Sequence, residues 1–371
     1  MSDSLRRYKA VKKQLGQELP ELWLSNGEWM TNLSLMVSAI VKAKELTQSA
    51  IASEMPLNAQ DTSLCQRQRR WLMNDHVSIR SCYEPIIKPF IQAASQRTLP
   101  LILDTTSAGQ DCHLLTASIG YYKRGLPVAW TAGEGDRGHT DAQTQCDLLT
   151  YVQTLVPPDA DVIVLGDGEF SSVESLVSYT DASWHYVTRV ACDTYILSEG
   201  ESIRIDQLGV QAGDLLWLED VSLTQAQSFG PLNLLVTWDG KRNQLLPLVS
   251  DLALPDEVLH WYPKRFWTEP LYGDIKGHGF DFQSSHLCHP ARIAQLMLAI
   301  SLAYLWMLFL GALAFITGNA KLVDRSDRRD RSLFTIGRQW LNRLLKLDQP
   351  FPVRFRPYPF LHSFPAWGVG G

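Results

Sequence analysis

The sequence predicts an α/β protein whose central part follows the order β-β-β-α-β-α-β, after a helical N-terminal region. Three short β-type runs, separated by turn residues, begin at Pro100: LPLILDTTS, CHLLTASIGYY and GLPVAWTAGE. Two stretches with helical spacing, HTDAQTQCDLLTYVQTLVP and FSSVESLVSYTDA, then alternate with the strands VIVLG and WHYVTRV. Residues 190–258 are again rich in β-type runs, which indicates a β-rich insertion before the last part of the core.

Composition and charge divide the chain into segments. With 371 residues, 45% hydrophobic and 20% charged, it is long enough for two domains. We expect a helical region (1–98), a first core part (99–190), a β-rich insertion (191–258), a second core part (259–320) and a basic tail (321–371). Net charges of +4, −15 and +6 fall on residues 1–98, 99–320 and 321–371. This pattern fits a metal-binding core between segments that bind a polyanion. The alternative is ordinary fluctuation of charge along the chain together with solvated helix faces.

Cysteine usage and hydropathy bear on the compartment. The six cysteines are scattered without a C-x-x-C pair, which favours a reducing, cytoplasmic location and argues against a disulfide framework or zinc ribbon. The polar N-terminus shows no secretory signal. Residues 296–318 carry no charge and meet the length criterion for a membrane span. A buried helix is the favoured interpretation, and a membrane anchor is the alternative.

Arginine clusters near both ends of the chain indicate contact with DNA phosphates. Arg69 and Arg70 lie beside Trp71 in a helical stretch, and Arg328 and Arg329 lie in the basic C-terminal segment. The alternatives are a helical bundle with solvated arginines for the first pair and a solubilising tail for the second.

Two aspartates follow apolar strands. Asp104 closes the run LPLILD, and Asp167 closes VIVLGD. Carboxylates at the ends of adjacent strands can share hard cations such as Mg²⁺. Each aspartate taken alone is equally typical of a turn, since Asp-Thr and Asp-Gly pairs often cap turns.

A third stretch carries four functional side-chain types at fixed spacing. In residues 260–281, Tyr262, Arg265, Glu269 and Lys276 are separated by 3, 4 and 7 positions. If this stretch is one helix, the four side chains share a face. The face is either an active surface that holds an anion or a solvated surface with an Arg265–Glu269 pair. Pro270 places Glu269 at a kink or at a helix start.

Taken together, the motifs LILDTT, VIVLGDGEF and Y-x2-R-x3-E-x6-K resemble those of DDE transposases of the IS4 family, encoded by bacterial insertion sequences. The resemblance covers roughly residues 20–320. It implies an RNase H-like core, a helical DNA-binding N-terminus and a β-rich insertion before the catalytic glutamate. One departure is Gly168, where many relatives have an arginine after the second aspartate.

The resemblance also implies roles for individual residues. Asp104, Asp167 and Glu269 would be catalytic and would ligate two Mg²⁺ ions, with Mn²⁺ as a substitute, while Tyr262, Arg265 and Lys276 would hold transposon-end DNA. The expected activity is DNA cleavage at terminal inverted repeats and strand transfer into target DNA. The expected partners are double-stranded DNA and at least a second copy of the chain on that DNA. The expected location is the cytoplasm, associated with the nucleoid, and no membrane is expected as a partner. The alternative is an inactive, transposase-derived DNA-binding protein. A metal cluster of His278, His286, Cys288 and His289 is disfavoured because its spacing fits no common zinc pattern.

Overall fold

The computed structural model describes residues 1–43, 45–135, 140–198, 200–224, 228–277, 279–325 and 331–358. The chain forms two compact units. The first comprises Met1–Ala94, Ser107–Leu114 and the chain from Leu271 onward, and the second comprises Ser95–Thr106 and Leu115–Pro270. Arg328, Arg329 and His278 lie outside the described residues.

The N-terminal part of the first unit is helical, as the apolar spacing predicted. Its helices are α1 (Asp3–Glu18), α2 (Glu21–Ser25), α3 (Gly27–Ile40), α4 (Gln48–Ser53), α5 (Asp61–Leu72) and α6 (Ile79–Ala94). Ser2 and Thr47 cap α1 and α4, because their side chains accept hydrogen bonds from Leu5 N and Ala50 N. Arg7 is buried between helices and binds both the Ser38 carbonyl and the Glu54 carboxylate.

Within the described part of the chain, ten strands form one mixed sheet in the order β3-β2-β1-β4-β5-β10-β9-β8-β6-β7. The strands are β1 (Leu99–Ser107), β2 (Cys112–Tyr121), β3 (Arg124–Glu134), β4 (Val162–Gly166), β5 (His185–Arg189), β6 (Tyr195–Ser198), β7 (Glu201–Arg204), β8 (Leu215–Thr224), β9 (Ser228–Asp239) and β10 (Gln244–Ser250). Strands β6–β10 come from the segment predicted as β-rich. They extend the same sheet, because β10 pairs antiparallel with β5.

Two helices separate the strands of the second unit where helical spacing predicted them. Helix α7 (Ala142–Leu155) follows β3, and helix α8 (Val173–Asp181) follows β4. Asp141 and Ser172 cap them by accepting hydrogen bonds from Thr144 N and Ser175 N. From Leu99 to Arg189 the elements therefore follow as three strands, a helix, a strand, a helix and a strand.

Parallel pairing at the centre of the sheet sets the positions of the strand ends. Strand β1 pairs with β4 from Leu99↔Val162 to Ile102↔Leu165, and β4 pairs with β5 up to Gly166↔Thr188. The side chains of Ile102, Leu165 and Val187 belong to one buried apolar cluster. Buried strands on both sides leave little freedom of register, so the residues that follow these pairs are held at one edge.

Three helical segments follow β10, and the chain up to Pro270 belongs to the second unit. Helix α9 (Pro255–Trp261) is followed by a 3-10 helix, Tyr262–Trp267, and then by α10 (Thr268–Ile275). The single continuous helix considered for residues 262–276 is therefore not observed. Pro270 lies in the first turn of α10, where the missing N–H costs no helical hydrogen bond.

The long apolar stretch forms α11 (Pro290–Ile316), which is followed by α12 (Leu333–Lys346). By length and composition α11 could cross a membrane, but 94% of its most apolar window is buried within the protein. Helix α12, from the segment predicted as a basic tail, packs against α11. Gly311 and Gly337 permit the close approach, since a Cβ on Gly337 would lie 1.9 Å from the Met307 carbonyl oxygen.

Candidate active site

The two predicted aspartates lie at matching positions of neighbouring parallel strands. Continuing the register Ile102↔Leu165 by two residues places Asp104 opposite Asp167. Neighbouring strands are about 4.8 Å apart, so two such side chains face each other at short range. Asp104 does not end its strand as predicted, because β1 continues through the buried Thr105 and Thr106 to Ser107. It is the pairing with β4 that ends before Asp104.

Asp104 is surrounded by protein on most sides and has specific partners. The buried Thr268 hydroxyl donates a 2.6 Å hydrogen bond to Asp104 Oδ2. Burial, with a smaller contribution from the charge of Asp167, raises the pKa of Asp104 to about 6 against the opposing effects of Thr268 and Arg265. The two aspartates are therefore electrostatically coupled, as carboxylates that share a site are.

Asp167 lies at the junction of β4 and a short 3-10 turn. Its Oδ1 accepts a 3.1 Å hydrogen bond from Glu169 N, which orients the carboxylate. Glu169 itself is bound to the protein, since its Oε1 accepts from the Thr105 hydroxyl at 3.2 Å and from Thr140 N at 3.1 Å. These hydrogen bonds of Glu169 thus hold the loop beside Asp167 in place.

Arg265 brings a buried positive charge to the two carboxylates. It is 9% exposed, and its NH1 lies 3.9 Å from Asp167 Oδ2. Its guanidinium carbon lies 4.4 Å from the centroid of the Phe266 ring. The Nε atom is buried without a hydrogen-bond partner. A buried guanidinium with an unsatisfied N–H next to a carboxylate pair is the arrangement expected where an anionic ligand completes the site.

Tyr262 and Arg189 complete the surroundings of Arg265. The Tyr262 ring is 4% exposed and belongs to the apolar cluster of the sheet. Burial raises the pKa of its phenol, and the charges of Arg265 and Arg189 oppose that shift. The structure therefore buries Tyr262 beside two arginines, with most of its ring used in packing.

Glu269 is placed differently from the two aspartates. It is exposed in the first turn of α10, directly after Thr268. Within the described residues, no group of three or more His, Cys, Asp or Glu side chains is positioned to hold a metal ion. All three predicted ligands are described, so Glu269 does not join Asp104 and Asp167 in such a group. The aspartate pair has the oxygen donors that Mg²⁺ prefers.

The remaining predicted DNA-binding residues lie in the first unit. Lys276 follows α10, where its Nζ lies 5.7 Å from the centroid of the Tyr272 ring. Arg69 and Arg70 are exposed on the last turn of α5, and Arg69 Nε donates a 2.6 Å hydrogen bond to Gln48 Oε1. Arg328 and Arg329 stay predictions because they fall outside the described residues.

Sequence reasoning missed three residues that this site uses. Thr268 and Glu169 carry no motif of their own, although each is close in sequence to a predicted residue. Arg189 ends β5, directly after the pair Gly166↔Thr188. Its position at the end of a strand beside β4 was the available signal, since strand ends at one edge of a sheet come together.

Lys264 carries a further perturbed charge in the second unit. Its Nζ lies 3.3 Å from the centroid of the Trp261 ring and 2.8 Å from His260 Nε2. Burial lowers the pKa of this ammonium to about 8. The 3-10 turn from Tyr262 to Trp267 thus presents a buried guanidinium and a partly desolvated amine.

No protein-family model and no curated protein sequence matches the chain. Among solved structures, the chain is similar to the cryo-EM structure of a piggyBac transposase synaptic complex with hairpin DNA. The TM-score is 0.44 at 11% identity, over 99% of this chain and 85% of that chain. A likeness at this level does not establish a shared fold.

Proposed function

We propose that the chain is a DNA transposase resembling the IS4 family, which cleaves phosphodiester bonds at transposon ends and transfers the strands into target DNA. The observation that carries the proposal is the coupled pair Asp104 and Asp167 with Arg265 beside it. These residues come from the three motifs whose order and spacing resemble the family. The sheet order β3-β2-β1-β4-β5 supports an RNase H-like core for this part of the chain.

In this proposal each side chain of the site has its own role. Asp104 and Asp167 form the negative centre, and Thr268 holds the Asp104 carboxylate in place through its 2.6 Å hydrogen bond. Arg265 offsets the charge of a phosphate through its guanidinium, and Arg189 adds positive charge near Tyr262. The buried phenol of Tyr262 supports the position of Arg265 more than it contacts DNA.

The proposed cofactor is Mg²⁺, with Mn²⁺ as a substitute. Asp104 and Asp167 would hold the ion, whose chemistry is to activate a water or a DNA 3′-hydroxyl and to stabilise the leaving oxygen. Glu269 is proposed as the third ligand on the motif.

The proposed partners follow from the reaction. Cleavage at two ends and their joining to a target require double-stranded DNA and at least two copies of the chain on that DNA. The first unit contributes the exposed arginines of α5 for contact with the DNA backbone. A cytoplasmic, nucleoid-associated location belongs to the same proposal.

Cleavage of the terminal inverted repeats that bracket the gene tests the proposal. The wild-type protein should nick these repeats in the presence of Mg²⁺ and not in EDTA. Asp104→Asn, Asp167→Asn and Glu269→Gln should each abolish product, and undiminished cutting by any one of them would remove that residue from the site. Glu257→Gln, an exposed acid in the first turn of α9, is the matched control and should cut like the wild type.

A second candidate function is a DNA-binding protein without catalysis, and one observation favours it. Glu269 is exposed, and the described residues contain no group of three metal-binding side chains where the resemblance implies one. This alternative expects saturable binding to the terminal repeats with no Mg²⁺-dependent product from the wild type. Detection of such a product would exclude it.

A further inference from the structure

A cavity with two arginines in its lining lies within the first unit. It has a volume of about 450 Å³ and is bordered by the start of α4, the last turns of α5, residues 284–288 and the first turn of α11. Its polar lining includes Arg69, Arg292 and the hydroxyl-bearing Thr47, Ser49, Ser284 and Ser285. All of these residues belong to the first compact unit.

The charge of this cavity favours an anion. Two guanidinium groups, those of Arg69 and Arg292, line it, and no carboxylate is among the described lining residues. The hydrogen bond from Arg69 Nε to Gln48 Oε1 holds the Arg69 side chain against the cavity wall. Glu45 lies outside the lining, where it accepts a 3.2 Å hydrogen bond from the Thr47 hydroxyl.

An unsatisfied hydroxyl in the wall indicates a ligand. Ser285 is 9% exposed and its Oγ has no hydrogen-bond partner. A buried hydroxyl without a partner is unfavourable, and an acceptor bound to it removes this cost. The first turn of α11 also borders the cavity, and the dipole of this 27-residue helix favours negative charge there.

We infer that this cavity binds a phosphate group, and that the phosphate is one of the DNA backbone. Arg69 and Arg292 supply the charge, and the surrounding serine and threonine hydroxyls supply short hydrogen bonds. The DNA source rests on the proposed function, whereas the phosphate chemistry rests on the cavity alone. Arg292 and Ser285 are the residues that this inference adds to the DNA-binding surface.

Two cysteines allow the cavity to be probed without any activity measurement. Cys288 is exposed and Cys65 is partly exposed, and both line the cavity. The rate of N-ethylmaleimide reaction with Cys288 should fall in proportion to the occupancy of the cavity, first with inorganic phosphate and then with duplex DNA. Cys146 and Cys192, both in the second unit, report non-specific effects in the same molecule.

Variants of the two arginines connect the cavity to DNA. Arg69→Ala and Arg292→Ala should each abolish protection of Cys288 by phosphate. Each should also lower the slope of log K against log[salt] for duplex DNA by about 0.9, the value of one lost phosphate contact. Lys13→Ala removes an exposed charge of the same unit outside the cavity, and it should keep the protection of Cys288.

The outcomes separate this inference from the proposed function. Protection by phosphate but not by DNA would support an anion site and overturn its assignment to the DNA backbone. The cavity inference would be overturned if both arginine variants kept the protection of Cys288 and the wild-type salt dependence of DNA binding. This holds even if the wild type cleaves terminal repeats. Protection and reduced slopes in a protein that never cleaves DNA would support the cavity while the catalytic proposal fails.

Discussion

Replacing Asp104 by Asn should stabilise the protein at neutral pH and not at acid pH. Burial raises the pKa of the Asp104 carboxyl from its ordinary 3.8 to about 6. The folded state therefore binds a proton more tightly than the unfolded state. As the pH rises from about 4 to about 7, the free energy of unfolding should fall, because the native protein must then hold this carboxylate in its charged form.

The magnitude follows from the pKa difference. A difference of about 2 pKa units corresponds to roughly 3 kcal/mol, and this net value already includes the favourable contacts with Thr268 and Arg265. Asn keeps an oxygen that can accept the Thr268 hydroxyl but carries no charge to desolvate. Asp104→Asn should therefore raise the free energy of unfolding by up to about 3 kcal/mol at pH 7.5 and leave it unchanged near pH 4.

Urea unfolding followed by tryptophan fluorescence measures this effect. At pH 7.5 the midpoint should increase by up to roughly 1–3 M, given a slope of about 1–3 kcal/mol/M. EDTA is present throughout, since a bound cation would stabilise the wild type and mask the difference. Glu257→Gln, which neutralises an exposed acid, should leave the urea midpoint unchanged at both pH 4 and pH 7.5. The reasoning is refuted if the Asp104→Asn shift is the same at pH 4 and pH 7.5, or if the variant is less stable at pH 7.5.

Three further predictions follow from packing and charge. Gly337→Ala should lower the free energy of unfolding by about 1–3 kcal/mol, because its Cβ would meet the Met307 carbonyl. Gly240→Ala has open space around the new Cβ and should be neutral. Equal urea midpoints for the two variants would contradict this prediction. Lys264 has a pKa lowered to about 8, so at pH 8 it should be acetylated faster than the other lysines. An acetylation rate for Lys264 equal to the average of the other lysines, measured by mass spectrometry, would contradict this prediction. Arg265→Lys should reduce terminal-repeat cleavage without loss of fold by circular dichroism, because an ammonium cannot replace the guanidinium fork; full activity would contradict the assigned role.

Local sequence patterns were enough for most of the elements and for two members of the site. Apolar runs and turn residues predicted β1 to β5 with α7 and α8 between them, since period and turn chemistry are properties of short segments. The same runs pointed to Asp104 and Asp167. The apolar stretch now seen as α11 was predicted to be buried, and its packing within the first unit agrees.

The sequence by itself thus determined the order of elements, the acidic pair and the neighbouring Arg265, because these depend on residues within a few positions of a motif. Only the tertiary structure decided that residues 262–276 are not one helix, that Thr268 holds Asp104, and that Arg189 and Arg265 lie near the buried Tyr262. It also decided that Glu269 stays exposed while Tyr262 is buried. These features depend on which strands pair and in which register, and on the burial that pairing creates between residues far apart in the chain.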